Sequence, residues 1–257
     1  MAGERLDILL VERKLAESRE QAQRLIQAGQ VRVNGRVAPK PGHRFARDSA
    51  VEVEIGPRFV SRGGEKLAAA LDAFALDVAG CICLDVGSST GGFTDCLLQR
   101  GAARVYAVDV GRGLLHWKLR NDPRVVLLEG VNARHLTEGD LPEPAGFAAV
   151  DVAFISLTKI LPAVIRLLQP SAGVVTLIKP QFEAGREHVR RGGVVTDPAV
   201  RAAVLERIRG FGTRELGLEW QGACASPLKG PAGNVEYLAW WNWRRAAAPR
   251  RARSPRA

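Results

Sequence analysis

The chain has 257 residues, of which 46% are hydrophobic and 25% charged, enough for one full α/β domain and one small domain. No apolar run reaches the roughly 18 residues of a membrane span, and acids interrupt the first apolar stretch, so we expect no span, no signal peptide and a cytoplasmic protein. The net charge of +10 favours a polyanionic partner, either nucleic acid or an anionic membrane surface, and a merely basic protein without such a partner is the equally weighted alternative.

The cysteines and histidines give no sign of a metal site. Cys81, Cys83, Cys96 and Cys224 contain no C-x-x-C pair, and the four histidines are dispersed along the chain. We therefore predict buried free thiols and no metal.

Residues 1–56 are predicted to form a small α+β domain. Leu6 and Leu9 belong to the apolar face of a first helix, and Ser18 has the residue type and position of an N-cap for a second helix. Asn34 and Gly35 form the dipeptide that most strongly predicts a two-residue hairpin turn. A strand of alternating apolar and charged residues, 51–55, closes the domain.

This domain resembles the alpha-L RNA-binding domain of ribosomal protein S4. The resemblance rests on residues 5–7, the helix start at 18–19 and the hairpin at 31–35. No acid lies between Arg24 and Arg47, which indicates a phosphate-binding surface, with a merely solvated charged face as the alternative. The resemblance implies binding of structured RNA. The candidate RNA-binding residues are Arg5, Arg19, Arg24, Arg32, Arg36, Lys40 and Arg44.

A linker at 57–60, stiffened by Pro57, leads into a second domain at 61–243. Strands are predicted at 81–87, 104–110, 125–129, 147–155 and 173–179, separated by helical stretches, which indicates a doubly wound parallel sheet. The segments near 218–226 and 234–243 indicate an antiparallel hairpin at the sheet edge. That combination is typical of the Rossmann-like fold of S-adenosylmethionine-dependent methyltransferases and not of dinucleotide dehydrogenases.

The arginine-rich tail, 244–257, has no acids and is predicted to be disordered. It either adds non-specific RNA affinity or has no role.

A glycine-rich loop follows the first strand of the second domain and precedes a helix, as in nucleotide-binding turns. Its spacing is G-x-x-x-G-G rather than the G-x-G-x-x-G of dinucleotide sites. The acid before the first glycine would repel phosphate and suits the cationic S-adenosylmethionine; a plain strand-turn-helix is the alternative. The candidate cofactor-binding residues of the loop are Asp85, Gly87, Ser88, Gly91, Gly92 and Phe93.

Two polar residues follow the next strands. Asp109 ends the second strand, where a carboxylate is placed to accept hydrogen bonds from ribose hydroxyls. Asn132 follows the third strand, where its side chain is placed to meet an adenine edge, or simply to cap a turn.

Four charged residues stand out in the second domain. Asp151 and Lys179 lie in apolar segments near the carboxyl ends of predicted strands, Glu236 lies in the second segment of the predicted terminal hairpin, and Lys66 lies just inside the first helix of the domain. Charges in such places are costly unless they are paired or functional. Each one taken alone is equally consistent with a structural ion pair.

Taken together, these four residues resemble the Lys-Asp-Lys-Glu tetrad of FtsJ-type ribosomal-RNA 2′-O-methyltransferases. With the motifs at 61–67, 85–95 and 179–186, residues 4–243 resemble the haemolysin A (TlyA) family of rRNA methyltransferases. The resemblance implies methyl transfer from S-adenosylmethionine to a ribose 2′-hydroxyl, of a cytidine, in ribosomal RNA, with ribosomal subunits as partners.

For the chemistry, we expect Lys179 to accept the hydroxyl proton, Lys66 to supply a like charge that favours the neutral form of Lys179, and Asp151 and Glu236 to orient the lysines. Three alternatives stay open: an inactive RNA-binding assembly factor, a membrane-active cytolysin and a nicotinamide enzyme.

Overall fold

The computed structural model describes residues 3–54 and 56–244, so Ile55 and most of the predicted tail, 245–257, lie outside the described residues. Contacts divide the described chain into two compact units between Arg58 and Phe59. The break falls inside the predicted linker.

The N-terminal unit combines two helices with short strands. Its three-stranded antiparallel sheet has the order β3-β2-β5, and β1 pairs with β4. The elements are β1 (Glu4–Arg5), α1 (Leu6–Glu12), α2 (Arg19–Gln27), β2 (Val31–Val33), β3 (Arg36–Val37), β4 (Arg44–Phe45) and β5 (Val51–Val53).

Local sequence signals account for this unit. The Ser18 hydroxyl accepts a hydrogen bond from the Gln21 amide at 3.2 Å, as expected of an N-cap. Asn34 and Gly35 have φ values of 52° and 77°, the left-handed pair that a type I′ hairpin turn requires. The Gln21 side chain accepts from the Glu17 amide instead of closing a reciprocal capping box with Ser18.

The second unit is built on one seven-stranded sheet. Its elements are α3 (Gly63–Ala73), β6 (Ile82–Val86), α4 (Gly92–Gln99), β7 (Arg104–Asp109), α5 (Trp117–Arg120), β8 (Val125–Glu129), β9 (Ala145–Val150), α6 (Leu157–Val164), β10 (Leu168–Ile178), α7 (Pro180–Glu183), α8 (Pro198–Glu215), β11 (Leu218–Ala225) and β12 (Tyr237–Trp243).

The sheet has the order β11-β12-β10-β9-β6-β7-β8. Strands β6 to β10 are parallel, whereas β12 runs antiparallel to both β10 and β11. Leu84 and Val86 pack into the hydrophobic cluster on one face and Cys83 into the cluster on the other, so the sheet is covered on both sides. The predicted fold class, a mostly parallel sheet with an antiparallel C-terminal hairpin, is confirmed.

The largest differences from the predicted elements concern β9, β10 and the linker. Strand β9 ends at Val150, so 151–155 form a loop rather than the end of a strand. Strand β10 begins earlier, at Leu168. Phe59, predicted as part of the linker, is 2% exposed and packs into the core of the second unit. Burial of its large apolar ring stabilises the folded unit, so this residue belongs to the core and not to a spacer.

Chain order reverses between β6 and β9, which are neighbours in the sheet. Their carboxyl ends therefore open a crevice at a topological switch point, where open α/β sheets bind ligands. Across residues 3–54 and 56–244, no helix has both the length and the apolar character needed to cross a bilayer. The same residues contain no cluster of three or more side chains suited to a metal ion.

Candidate active site

The four charged residues singled out above line one cavity of about 250 Å³ at the switch point. Asp151 and Lys179 directly follow β9 and β10, and parallel strands place their carboxyl ends at one edge. Glu236 directly precedes β12, whose first residue pairs with the last residue of β10. Lys66 enters from the start of α3. Sheet register therefore assembles a group that is spread over 171 positions of sequence, from 66 to 236.

Two close ion pairs divide the four charges. Lys66 Nζ lies 2.5 Å from Glu236 Oε2, with side chains 10% and 1% exposed. Lys179 Nζ lies 2.5 Å from Asp151 Oδ1, with side chains 13% and 21% exposed. Gln181 adds a hydrogen bond of 3.3 Å to the other oxygen of Glu236. Each lysine thus has its own carboxylate; that the carboxylates orient the lysines for a reaction stays a prediction.

The glycine-rich loop forms a wall of this cavity, through Gly87, Ser88, Gly92 and Phe93. Gly87 has φ +85°, and a Cβ there would stand 2.2 Å from the carbonyl oxygen of Asp151. Only glycine lets the loop pass this close to the neighbouring strand end. The requirement comes from packing within the chain.

A second cavity, of about 540 Å³, adjoins the first and shares Gly87, Asp151 and Lys179 with it. Asp109 and Asn132 line this cavity. The two carboxylate oxygens of Asp109 accept the amides of Ser89 and Gly111 at 2.8 and 2.7 Å.

Asn132 caps a turn, which is one of its two predicted roles, while its contact with an adenine edge stays a prediction. Its Oδ1 accepts the Arg134 amide at 3.1 Å and caps a short 3-10 helix, Ala133–His135. That contact leaves the side-chain NH₂ as a donor at the cavity wall.

Among the described residues, Asp85 and Gly91 are the two loop candidates that line neither cavity. Asp85 is fully buried under the loop and accepts a hydrogen bond of 2.6 Å from the Thr94 hydroxyl. Burial raises the pKa of Asp85 to about 7. Gly91 has φ +98°, and a Cβ there would meet Leu119 at 2.2 Å, so its role is in the turn. Contact of Asp85 with a cationic ligand stays a prediction, and the structure offers it a different, internal partner.

The raised pKa of Asp85 predicts a pH-dependent stability. The folded protein holds this proton at pH values where the unfolded chain, with a pKa of 3.8, has released it. The stability that this proton gives to the folded state is therefore fully present below about pH 4 and is lost as the pH rises through 7. Relative to Asp85→Asn, we expect wild-type stability to fall by roughly 2–4 kcal/mol between pH 4 and pH 8.

Tryptophan fluorescence in urea measures this difference, because all 5 tryptophans lie in the second unit. Glu206→Gln, at an exposed carboxylate of α8, is the control and should show no such trend. A difference between wild type and Asp85→Asn that does not change with pH would contradict the assignment.

Sequence reasoning missed several residues of the two cavities. Ser61, Arg62 and Lys229 line the first cavity, and Arg62 donates to the Lys229 carbonyl at 3.2 Å. Ser61 and Arg62 belong to the motif 61–67, which carries the family resemblance but predicts no role for either residue. Lys229 lies in a proline- and glycine-rich loop between β11 and β12, which gave no signal of its own. Phe154, 91% exposed with φ +63°, lines the second cavity.

In the N-terminal unit, a buried carboxylate organises two of the predicted RNA-binding residues. Asp7 is fully buried, and both Arg5 and Arg19 donate to it, at 3.0 and 3.1 Å between Nη2 and Oδ2. The hydrogen bond from Arg5 holds the pKa of Asp7 well below its usual range. Since the two side chains are 37% and 55% exposed, their guanidinium groups are fixed and still face solvent.

The other predicted RNA-binding residues are distributed differently. Arg32 pairs with Glu54 at 2.5 Å, and Arg44 donates to the Gly3 carbonyl at 2.8 Å. Arg24, Arg36 and Lys40 are exposed, and the described residues offer them no ion pair. These three cations are therefore available to an external anion, while Arg32 is partly neutralised.

Comparison with known proteins follows the same division of the chain. The FtsJ-like methyltransferase family model matches residues 59–243 and the S4 domain model matches residues 4–49. The chain is 51% identical over 239 residues to the "16S/23S rRNA (cytidine-2'-O)-methyltransferase TlyA" of Mycobacterium tuberculosis, covering 92% of this chain and 88% of that protein. It is 43% identical over 240 residues to "Hemolysin A" of Brachyspira hyodysenteriae, covering 91% and 98%.

Among solved structures, "Putative hemolysin from Streptococcus thermophilus" matches with a TM-score of 0.72 and 43% identity, covering 95% of this chain and 90% of that chain.

Proposed function

Because the chain belongs to the FtsJ-like methyltransferase family and begins with an S4 domain, we propose that it methylates a ribose 2′-hydroxyl of ribosomal RNA. A cytidine is the expected target, as the name of the M. tuberculosis relative states for that protein. One observation supports this most strongly: two lysines and two carboxylates line a single cavity whose wall is the glycine-rich loop. A binding protein would have no need to keep four paired charges at such a place.

S-adenosylmethionine is the proposed methyl donor, and the residues present fit it. Ser88 Oγ is buried in the loop, lines the first cavity and has no hydrogen-bond partner among the described residues, so it can bind the donor's carboxylate. Asp109 keeps lone pairs free for ribose hydroxyls, because a carboxylate accepts about four hydrogen bonds. The NH₂ of Asn132 can donate to an adenine ring nitrogen. These three residues line the two adjoining cavities and would together hold the donor.

When bound, S-adenosylmethionine supplies a methyl group already activated by a positive sulfonium. The chain's own residues then have to align the acceptor and remove its proton. We assign Lys179 Nζ, in its neutral form, as the acceptor of the 2′-hydroxyl proton. Asp151 fixes this nitrogen and stabilises the positive charge that forms on it.

Lys66, held by Glu236, presents a positive charge to the same cavity. We assign it to stabilise the negative charge that develops on the attacking oxygen as the proton leaves.

We propose that the N-terminal unit binds the RNA. Arg5 and Arg19, held in place on Asp7, form a rigid pair of donors suited to phosphate oxygens. Arg24, Arg36 and Lys40 add exposed charge without a competing carboxylate.

The decisive test is methyl transfer to purified ribosomal subunits, with mapping of 2′-O-methyl positions in their rRNA. We expect label from S-adenosylmethionine at a cytidine ribose of subunits prepared from cells without the gene. Subunits from cells with the gene are the control and should accept little, because the position is already filled. Subunit binding without transfer would indicate an assembly factor, and dye release from liposomes without transfer would indicate a cytolysin; either result contradicts the proposal.

A further inference from the structure

Glu183, the last residue of α7, is a buried carboxylate outside the group of four. Its side chain is 2% exposed, although it lies only four residues after Lys179. It accepts three hydrogen bonds at 2.7 Å each, from the Ser156 hydroxyl, the Leu157 amide and the Arg207 guanidinium. A buried carboxylate with this many donors has one defined orientation.

The partners of Glu183 show what it holds. Ser156 is the N-cap of α6 and ends the loop 151–156, which begins with Asp151. Leu157 is the first residue of α6, so the carboxylate also interacts favourably with the helix N-terminus. Glu183 therefore joins the segment that follows β10 to the loop that follows β9. These two segments start with the two partners of one ion pair, Lys179 and Asp151.

The loop needs such a support. Phe154, a non-glycine residue, has φ +63°, and both it and Ala153 are exposed. A backbone conformation of this kind persists only where the surroundings fix it. One end of the loop is fixed by β9, and Glu183 fixes the other.

We propose that Glu183 is a positioning residue for methyl transfer: it pins the loop 151–156 so that Asp151 meets Lys179 in the reactive geometry. This inference rests on the proposed function. It differs from a purely structural role, in which Glu183 would anchor α8 through Arg207 and stabilise the fold alone.

The test compares steady-state methyl transfer for three variants. Glu183→Gln should lower kcat by about 30–100-fold, since small displacements of reacting groups cost rates of this size, with KM for the RNA and Kd for S-adenosylmethionine within about 3-fold. Ser156→Ala, which removes one contact to the loop, should lower kcat by about 3–10-fold. Arg207→Met breaks only the contact to α8 and should leave kcat within about 3-fold while lowering stability.

Glu206→Gln, on the exposed side of α8, is the matched control and should behave as wild type. Equal kcat values for Glu183→Gln and wild type would overturn this inference but not the proposed function. A loss of kcat in Arg207→Met equal to that in Glu183→Gln would do the same. If Glu183→Gln does not fold, kcat of Ser156→Ala is compared with kcat of Arg207→Met instead. The inference then requires the larger loss of kcat in Ser156→Ala. Wild-type protein without methyl transfer would overturn the proposed function and this inference together.

Discussion

Lys179→Ala is expected to lower kcat for methyl transfer by about 10³-fold or more, with the affinity for S-adenosylmethionine within about 3-fold of wild type. Removal of a positioned proton acceptor typically costs between about 10² and 10⁴ in rate. The loss should lie at the upper end, because Asp151 then also loses its partner and leaves a carboxylate beside the acceptor oxygen. Cofactor affinity should persist, since the glycine-rich loop, Asp109 and Asn132 remain in place.

Single-turnover methyl transfer and calorimetric titration of S-adenosylmethionine measure these two quantities separately. Lys159→Ala is the control, because Lys159 is an exposed lysine on α6 that lines neither cavity among the described residues. A Lys179→Ala variant that transfers methyl groups at the wild-type rate would remove Lys179 from the mechanism.

Glu236→Ala should destabilise the second unit by about 3–5 kcal/mol, the cost typical of breaking a buried ion pair from one side. Lys66 is 8% exposed and, among the described residues, forms its ion pair with Glu236, so Glu236→Ala would leave this charge unpaired. The midpoint of urea unfolding, followed by tryptophan fluorescence, reports this loss directly. The rate of methyl transfer should also fall, and by more than the unfolded fraction of the variant accounts for.

The double variant Lys66→Met with Glu236→Leu separates stability from function. Replacing a buried ion pair by apolar side chains of similar size is often neutral or stabilising, so we expect its unfolding midpoint to return to within about 1 kcal/mol of wild type. Its methyl transfer should stay at least about 100-fold below wild type. Recovery of activity together with stability would mean that the pair has only a structural role.

The turn, the sheet and several candidate site residues could be predicted from the sequence, because each depends on properties of neighbouring residues in the chain. The Asn34–Gly35 turn follows from the left-handed backbone angles that these residues tolerate. The parallel sheet follows from buried apolar segments separated by helices, and the terminal hairpin from two strands with only a loop between them. Asp151, Lys179 and Glu236 stand out because charge in an apolar segment is costly, whereas Lys66 joins them through the resemblance to the Lys-Asp-Lys-Glu tetrad.

Which lysine pairs with which carboxylate was decided only by the tertiary structure. The antiparallel register of β10 and β12 brings Glu236 to the carboxyl end of β10, yet Glu236 pairs with Lys66 while Lys179 pairs with Asp151. Nothing local to any of these residues distinguishes this arrangement from the reverse.

The tertiary structure also decided which carboxyl groups are buried. The contact of Asp85 with a cationic ligand stays a prediction. What the tertiary structure decides is that its carboxyl group is buried under the loop, with the Thr94 hydroxyl as its hydrogen-bond partner. Glu183 lies in the motif 179–186, but its burial and its partners could not be predicted, because its three donors come from segments 24–27 residues away. The sequence by itself determined which groups this protein has for its chemistry. Long-range strand register and burial determined which of them meet, since both depend on contacts that no local pattern specifies.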